Sequence, residues 1–475
     1  MNWYLKRLFS ILMLSQILFC IPSYGGEIEV HPEEKPYLDA LIKRLNIDKQ
    51  KIKIWSKSID EEKKKRTDYY EEFGSYKYFY LHDKPHAQNI NFITDYDNRL
   101  VYLRVRNRDL VDLREIKHFK SLRWLDIHVT NIKSLKGVDN LVALERFDFN
   151  GNDEINSLSD IKNLPKLRIL LPNTSNNITD ISGMKNLPNL KEFDCGYCKI
   201  SDLSILSDFP LLEHLDIGTT DTTLKSLDSL KKLKILKVNS KTLTDISTIA
   251  NLVNLEELEI TDTLATELIF INEMPKLKKI SLHTIPLNEL PSLTKTPNLE
   301  YLLVILSGIK KLDLPTGLDK LNVLALIANK NLTSMPRISN MPSLEDLEIT
   351  KSPIGDLDID YLPKLNKLDL SGTNITQVGD FSNFPVLREF YLRDTKVKSL
   401  DAILDAPRLW LVGLDRSARD IPNVSLITQA LKVNALSREA AGDDTPTARE
   451  MYQKLLAEQK QNMPEPTDKP QRRRR

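Results

Sequence analysis

The chain has 475 residues, 41% of them hydrophobic, with 67 basic against 66 acidic side chains and a net charge of +1. So even a balance excludes the broad field that steers a protein onto nucleic acid or an anionic membrane, while the length suffices for a large folded core. Three cysteines, one of them Cys20 near the start, exclude a disulfide framework.

Lys6 and Arg7 precede the apolar run Leu8–Ile21, which gives way to Pro22, Ser23, Tyr24, Gly25 and Gly26. The run is 14 residues, whereas a membrane span needs about 20. The pattern predicts a signal peptide over residues 1–25, cleaved after Gly25, where Ser23 and Gly25 supply the small residues the peptidase wants. Cys20 offers the alternative of a lipid anchor, against which stands the bulky Phe19 before it. No later segment is apolar enough to cross a bilayer, so no stable membrane insertion is expected after export.

Residues 26–99 read as an N-terminal cap region, with an independent binding domain as the alternative. Apolar residues at Tyr37, Leu38, Leu41, Ile42 and Leu45 predict a short amphipathic helix over Pro36–Leu45. A charged run, Asp60–Asp68, follows, and then aromatic residues crowd together from Tyr69 to Tyr80.

From Leu100 onward the chain repeats. In Leu365–Val386 the apolar residues are Leu365, Leu368, Leu370, Ile375, Val378, Phe381 and Phe384, and moving on 22 residues recovers them at Leu387, Phe390, Leu392, Val397, Leu400 and Ile403. L-x-x-L-x-L fits a short strand entering a bend, and the three-residue spacing after it fits a cramped 3₁₀ return. Fourteen full turns of 21–23 residues and a partial fifteenth start at Leu100, Leu122 and so on to Leu409. This predicts an α/β solenoid, a leucine-rich repeat arc over 100–428 with a parallel β-sheet on its concave face and 3₁₀ or helical returns on its convex face. Eight residues into each turn a small polar side chain recurs, as at Thr130, Asn152, Ser175, Cys198, Thr220, Thr263, Ser307, Asn329, Ser352, Thr373 and Thr395. Such a ladder can satisfy backbone groups at the bend, and Arg108, Lys241 and Ile285 break it.

These turns, notably Ile178–Leu190 and Ile200–Leu212, resemble the repeats of the internalin family, exported bacterial proteins that grip host surface receptors on a concave sheet. The resemblance implies a binding protein and an exported one. Neither a wall-sorting motif nor an immunoglobulin-like module follows the repeats, which shifts the expected destination to the periplasm or the medium.

On each strand the second, fourth and sixth residues after the first leucine face the concave side. Two groups stand out there as a protein-binding site: Tyr301, Leu303 and Ile305 beside Val323, Ala325 and Ile327, apolar where solvent is expected, and the cluster Tyr102, Arg104, Arg106, Trp124, His128 and Arg146. The column Asp126, Asp148, Asp194, Asp216, Glu259, Glu348 and Asp369 reads as a solvated acidic face, with a cation site as the alternative.

Nothing predicts catalysis, a cofactor or a metal. His128, His214 and His283 lie three or four turns apart, too far to gather on one ion, and Pro85 disfavours the helix that would align His82 with His86. Cys195 and Cys198 imitate a redox C-x-x-C, but in register they take an inward position and a ladder position, so two buried, reduced thiols are expected. Residues 429–461 should hold a C-terminal cap with a polar helix near Ala448–Gln459, and 462–475, with four terminal arginines, should be disordered. The favoured function is an exported, non-catalytic module that binds a protein partner, with no nucleic acid. The alternative is a structural component of the bacterial periplasm or envelope.

Overall fold

A computed structural model of the chain describes residues 30–47, 53–55, 89–95, 97–172, 177–334, 337–355, 359–415, 418, 421–441 and 446–461. The expected signal peptide with Cys20, the charged run, the aromatic crowd, His82 and His86, Ser175 and the arginine tail lie outside those residues. The chain forms two compact units, one carrying the first six strands and the other the remaining eleven.

In the first unit the helix α1 spans Lys35–Arg44 and buries Leu38, Leu41 and Ile42. Arg44 ties it to the first repeat, donating to Asp112 at 2.9 Å and pairing with Glu115. The strands are β1 (Lys53–Trp55), β2 (Asn89–Thr94), β3 (Leu100–Arg106), β4 (Trp124–Ile127), β5 (Arg146–Asp148) and β6 (Ile169–Leu171). From β3 to β6 each pairs in parallel with the next, one repeat per strand. β2 is the exception, running antiparallel to β3 and occupying the edge that the first repeat would otherwise leave open.

The second unit continues with β7 (Glu192–Ile200), β8 (His214–Thr219), β9 (Ile235–Asn239), β10 (Glu257–Thr261), β11 (Lys279–His283), β12 (Tyr301–Ile305), β13 (Val323–Ile327), β14 (Asp346–Thr350), β15 (Lys367–Asp369), β16 (Glu389–Tyr391) and β17 (Leu411–Gly413). All pairs among these are parallel. The helices α2 (Val424–Ala441) and α3 (Ala448–Gln461) follow, α3 opening on a capping box in which Thr447 and Glu450 exchange hydrogen bonds. Arg449 clamps Asp405 in the last return with bonds of 2.7 and 2.6 Å.

The leucines at the repeat positions are buried, among them Leu125, Leu236, Leu302 and Leu368. Each closes its layer only against the neighbouring turn, so within each unit the core is a stack of layers rather than a central ball. Several returns begin with an Asp that accepts the backbone N–H two residues on: Asp180 from Ser182, Asp202 from Ser204 and Asp245 from Ser247, at 2.8–2.9 Å. That is the physical content of the D-x-S motif, because the carboxylate satisfies a donor that the opening 3₁₀ turn leaves unpaired.

In several turns the polar ladder forms where the repeats predict it. Thr130 and Asn152 bond at 2.5 Å, and the Asn152 amide donates to the carbonyls of Ile127 and Phe149. Ser307 and Asn329 repeat the arrangement at 2.6 Å, with Asn329 donating to Val304. Three turns reach the bend one residue early. Asn107, Thr219 and Ser240 are buried there, while Thr220 and Lys241 face solvent and Arg108 is exposed. The ladder is thus continuous at two of its three apparent breaks, and Thr220 gives up its place to Thr219, which donates to the Ile200 carbonyl at 2.6 Å.

The expectation for the cysteines is overturned. Cys195 and Cys198 are buried but joined in a disulfide, with Cα atoms 5.3 Å apart. β7 shifts register against β8 between Cys195 and Ile200. The added length turns Tyr197 out to solvent and brings Cys198 round to face Cys195, which simple repeat counting does not capture.

Beyond each strand the backbone often passes through left-handed conformation at residues other than glycine. Val129, Asp262, Thr284, Leu306, Ala328, Lys351 and Asp394 all have φ between 51° and 57°. Gly151 and Gly372, at 71° and 72°, hold the same place in their turns.

Candidate functional site

Alternation along a strand sends every second side chain away from the core, and the parallel register aligns those side chains in rows. On β12 and β13 the rows are Tyr301 beside Val323, Leu303 beside Ala325, and Ile305 beside Ile327. Together with Asp346, Leu347 and Glu348 of β14 and Lys367 of β15 they line an open hollow of about 180 Å³. The residues are half-buried rather than fully exposed, and Ala325 is buried, because each apolar chain leans on its neighbour in the row. The Lys279 ammonium lies 5.5 Å from the centre of the Tyr301 ring. Burial raises the Tyr301, Asp346 and Glu348 acidities' midpoints above their ordinary values, with neighbouring carboxylates adding to the effect. The hollow therefore has an apolar floor and an acidic flank. β-branched and leucine side chains on a solvent-side row were the signal that located it.

The second predicted group also comes together, on β3 to β5, but as a polar network. Tyr102, at 9% exposure, packs edge-on against Trp124 with ring centres 6.3 Å apart and donates its hydroxyl to Asp126 Oδ2 at 3.0 Å. His128 Nε2 approaches Asp148 Oδ1 at 3.6 Å, and Arg146 Nη2 approaches Asp148 Oδ2 at 3.5 Å. Arg104 and Arg106 are half-buried in the same rows, and the Arg104 Nε is buried without a hydrogen-bond partner. Tyr102, His128 and Arg146 thus spend much of their polar surface on internal contacts.

The acidic column is not the solvated face that the sequence suggests. Asp148 and Asp194 are buried, and burial pushes the Asp148 carboxyl up against the opposing pull of His128 and Arg146. Asp194 and Asp216 sit side by side in register on β7 and β8. Burial first, and the Asp194 charge second, push the Asp216 carboxyl up to about 7. Gly196 makes the close approach possible, since a Cβ there would collide with the Asp216 carboxylate. Sequence reasoning placed these residues on the correct face and missed their depth, which depends on the side chains of the flanking rows.

Asp126, His128 and Asp148 also bring three ligand atoms within 4.8 Å of one another. Comparing histidines only with other histidines could not find this group, since its members share two adjacent strands and differ in type.

Neither a protein-family model nor a curated protein matches the sequence. Solved structures do. The chain is similar to a leucine-rich repeat protein of Leptospira interrogans, with 21% identity over 63% of this chain and 80% of that one and a TM-score of 0.50. It is also similar to an internalin of Listeria monocytogenes, with 23% identity, coverage of 67% and 87%, and a TM-score of 0.49. A further internalin of that organism, the functional domain of InlJ, shares 22% identity over 63% and 69% with a TM-score of 0.47. The likeness is one of fold, carried by the Leptospira structure: this is a leucine-rich repeat solenoid.

Proposed function

We propose that this chain is an exported, non-catalytic binding module that takes a protein partner on the open face of its sheet, with contact centred on the hollow between β12 and β13. The observation that carries the reading is the pair of apolar rows from Tyr301–Val323 to Ile305–Ile327, whose side chains, apart from the buried Ala325, stay partly exposed on the solvent side of the sheet. An apolar surface of this kind is stabilised by covering it, and an aromatic ring at its edge is a common anchor of an interface. The acidic flank of Asp346 and Glu348 favours a partner that presents apolar side chains next to a basic one. Tyr102, Arg104, Arg106, Trp124, His128 and Arg146 are the proposed second anchor, with Trp124 and Arg104 its most available members.

Export is supported by the buried Cys195–Cys198 disulfide, which belongs to an oxidising compartment, and by the signal-like start of the sequence. Among the described residues no helix is long and apolar enough to cross a membrane. The finer proposal is an outward-facing role, with a host surface protein as the partner. The test combines surface protease treatment of intact cells with capture of host surface proteins by the immobilised chain. Capture that is lost on changing Tyr301→Ser, Ile305→Thr and Ile327→Thr together supports the reading. Equal capture by both forms removes the hollow as the site, and protection of the chain from surface protease removes the outward-facing role.

A further inference from the structure

The most unusual chemistry outside the apolar hollow is on β4 and β5, where an imidazole and two carboxylates from adjacent strands converge. We propose that Asp126, His128 and Asp148 form a binding site for a divalent transition-metal cation of the zinc class, with the Asn150 side-chain oxygen as a fourth donor. Binding of the ion does not require a protein partner, although the site shares His128 with the proposed second anchor.

Four observations carry it. First, the spacing is close to that of a ligand set. His128 Nε2 and Asp148 Oδ1 are 3.6 Å apart, against roughly 3.3 Å for the edge of a tetrahedron with metal–ligand bonds of about 2.0–2.1 Å. Second, each carboxylate has one oxygen held by an outer donor. Tyr102 holds Asp126 Oδ2 at 3.0 Å and Arg146 holds Asp148 Oδ2 at 3.5 Å, while Asp148 Oδ1, which faces the imidazole, also accepts from the Asn150 backbone N–H at 3.4 Å. Outer hydrogen bonds that orient ligand carboxylates are the usual support of a metal site. Third, Asp126 Oδ1 is buried and accepts no hydrogen bond. A carboxylate oxygen in that state costs free energy unless a cation or a donor reaches it. Fourth, Asn150, only 5% exposed, continues the same row two residues beyond Asp148, and its backbone carbonyl accepts from Val129 beside His128. Its Oδ1 is likewise buried without a partner. Two orphan acceptors, on Asp126 itself and on Asn150 two residues beyond Asp148, with an imidazole and a buried carboxylate in the same group, call for a positive centre that accepts both nitrogen and oxygen ligands. One imidazole with oxygen donors suits zinc and its neighbours better than calcium or magnesium, which prefer oxygen alone.

The competing description is a self-contained imidazolium–carboxylate pair. It leaves the Asp126 and Asn150 oxygens unexplained. The two descriptions separate on titration of the full chain, freed of metal by chelation, with Zn²⁺ alone and with Co²⁺ alone. The proposal expects saturable binding of one Zn²⁺ per chain, a rise in melting temperature on its addition, and the visible absorption of low-symmetry Co²⁺. His128→Gln and Asp126→Asn should each weaken Zn²⁺ binding by about 10–100-fold, on the scale of lost ligand-shell contacts. Asp126→Asn preserves side-chain volume, so it serves if the histidine variant fails to fold, and metal-free melting curves show which variants are folded. Absence of saturable Zn²⁺ binding overturns the proposal. So does binding that survives unchanged in the folded variants, since the ion would then sit elsewhere.

Discussion

The stretches β3–β5 and β12–β13 share a 22-residue period and buried inward leucines, yet their outward rows have opposite characters. On β12 and β13 the rows are apolar and half-buried, and their flank is acidic. On β3 to β5 the rows hold a network of Tyr102, Asp126, His128, Arg146 and Asp148 whose members partner one another. Repeats therefore separate two tasks by face: the inward column fixes the turn, and the outward column is free to vary from turn to turn.

The largest effect should come from charging the inward column in both stretches. Leu125→Asp in β4 and Leu302→Asp in β12 each bury a carboxylate between turns, and each should cost about 4 kcal/mol or more in urea unfolding. If one is tolerated and the other not, the two stretches do not share a common core.

A smaller effect extends the polar case to β7 and β8. Asp216 titrates at about 7 in the folded chain, against about 3.9 when unfolded. Between those values the folded state holds the extra proton, so the stability Asp216 contributes is complete below about pH 4 and lost as pH rises toward 7. Asp216→Asn should therefore stabilise the chain at pH 8 by about 2–3 kcal/mol, after discounting for residual solvent access, and should make little difference near pH 4. Equal unfolding midpoints for the two forms at both pH values would show that the carboxylate is solvated.

The outward apolar rows should respond in the reverse sense. Changing Tyr301→Ser, Ile305→Thr and Ile327→Thr together should lower stability only modestly, because these chains are half-buried, yet weaken partner binding by about 2 kcal/mol or more. A large loss in melting temperature would show that the rows belong to the core.

The finest contrast uses two tyrosines. Tyr102→Phe removes the donor to Asp126 Oδ2 and should cost about 1 kcal/mol. Tyr301→Phe should be close to neutral, because the Tyr301 hydroxyl has no hydrogen bond among the described residues. Equal costs would erase the distinction between a networked row and an open one.

Much of this molecule is legible from periodicity. Leucine spacing locates every strand from β3 to β17, and counting two, four and six residues on from Leu299 and Leu321 identifies the lining of the hollow. What is not legible depends on geometry between turns. The position of the bend slips by one residue at Asn107, Thr219 and Ser240, and only the hydrogen bonds reveal it. The Cys195–Cys198 disulfide needs a register shift in β7 that no repeat count contains. The depth of Asp148 and Asp216 is set by neighbours on the rows beside them, so an acidic column looks solvated in sequence and is sunken in the fold.

The left-handed residue after so many strands has a use of its own. A side chain other than glycine in that conformation costs roughly 1–2 kcal/mol, and a branched one is the least tolerated. Here the same backbone position carries Val129, Asp262, Thr284, Leu306, Ala328 and Lys351, at φ between 51° and 57°. The chain is thus a ready-made host–guest series, in which one molecule displays six side-chain types in one backbone state, and since those from Asp262 to Lys351 stand on consecutive turns, coupling between neighbours can be read from the same series. Leu306→Asn should raise stability by about 0.5–1 kcal/mol, since asparagine tolerates this region and Leu306 is exposed. Asp262→Asn should change little. A thermal unfolding scan across the series would measure how much backbone strain each type of side chain adds to a turn.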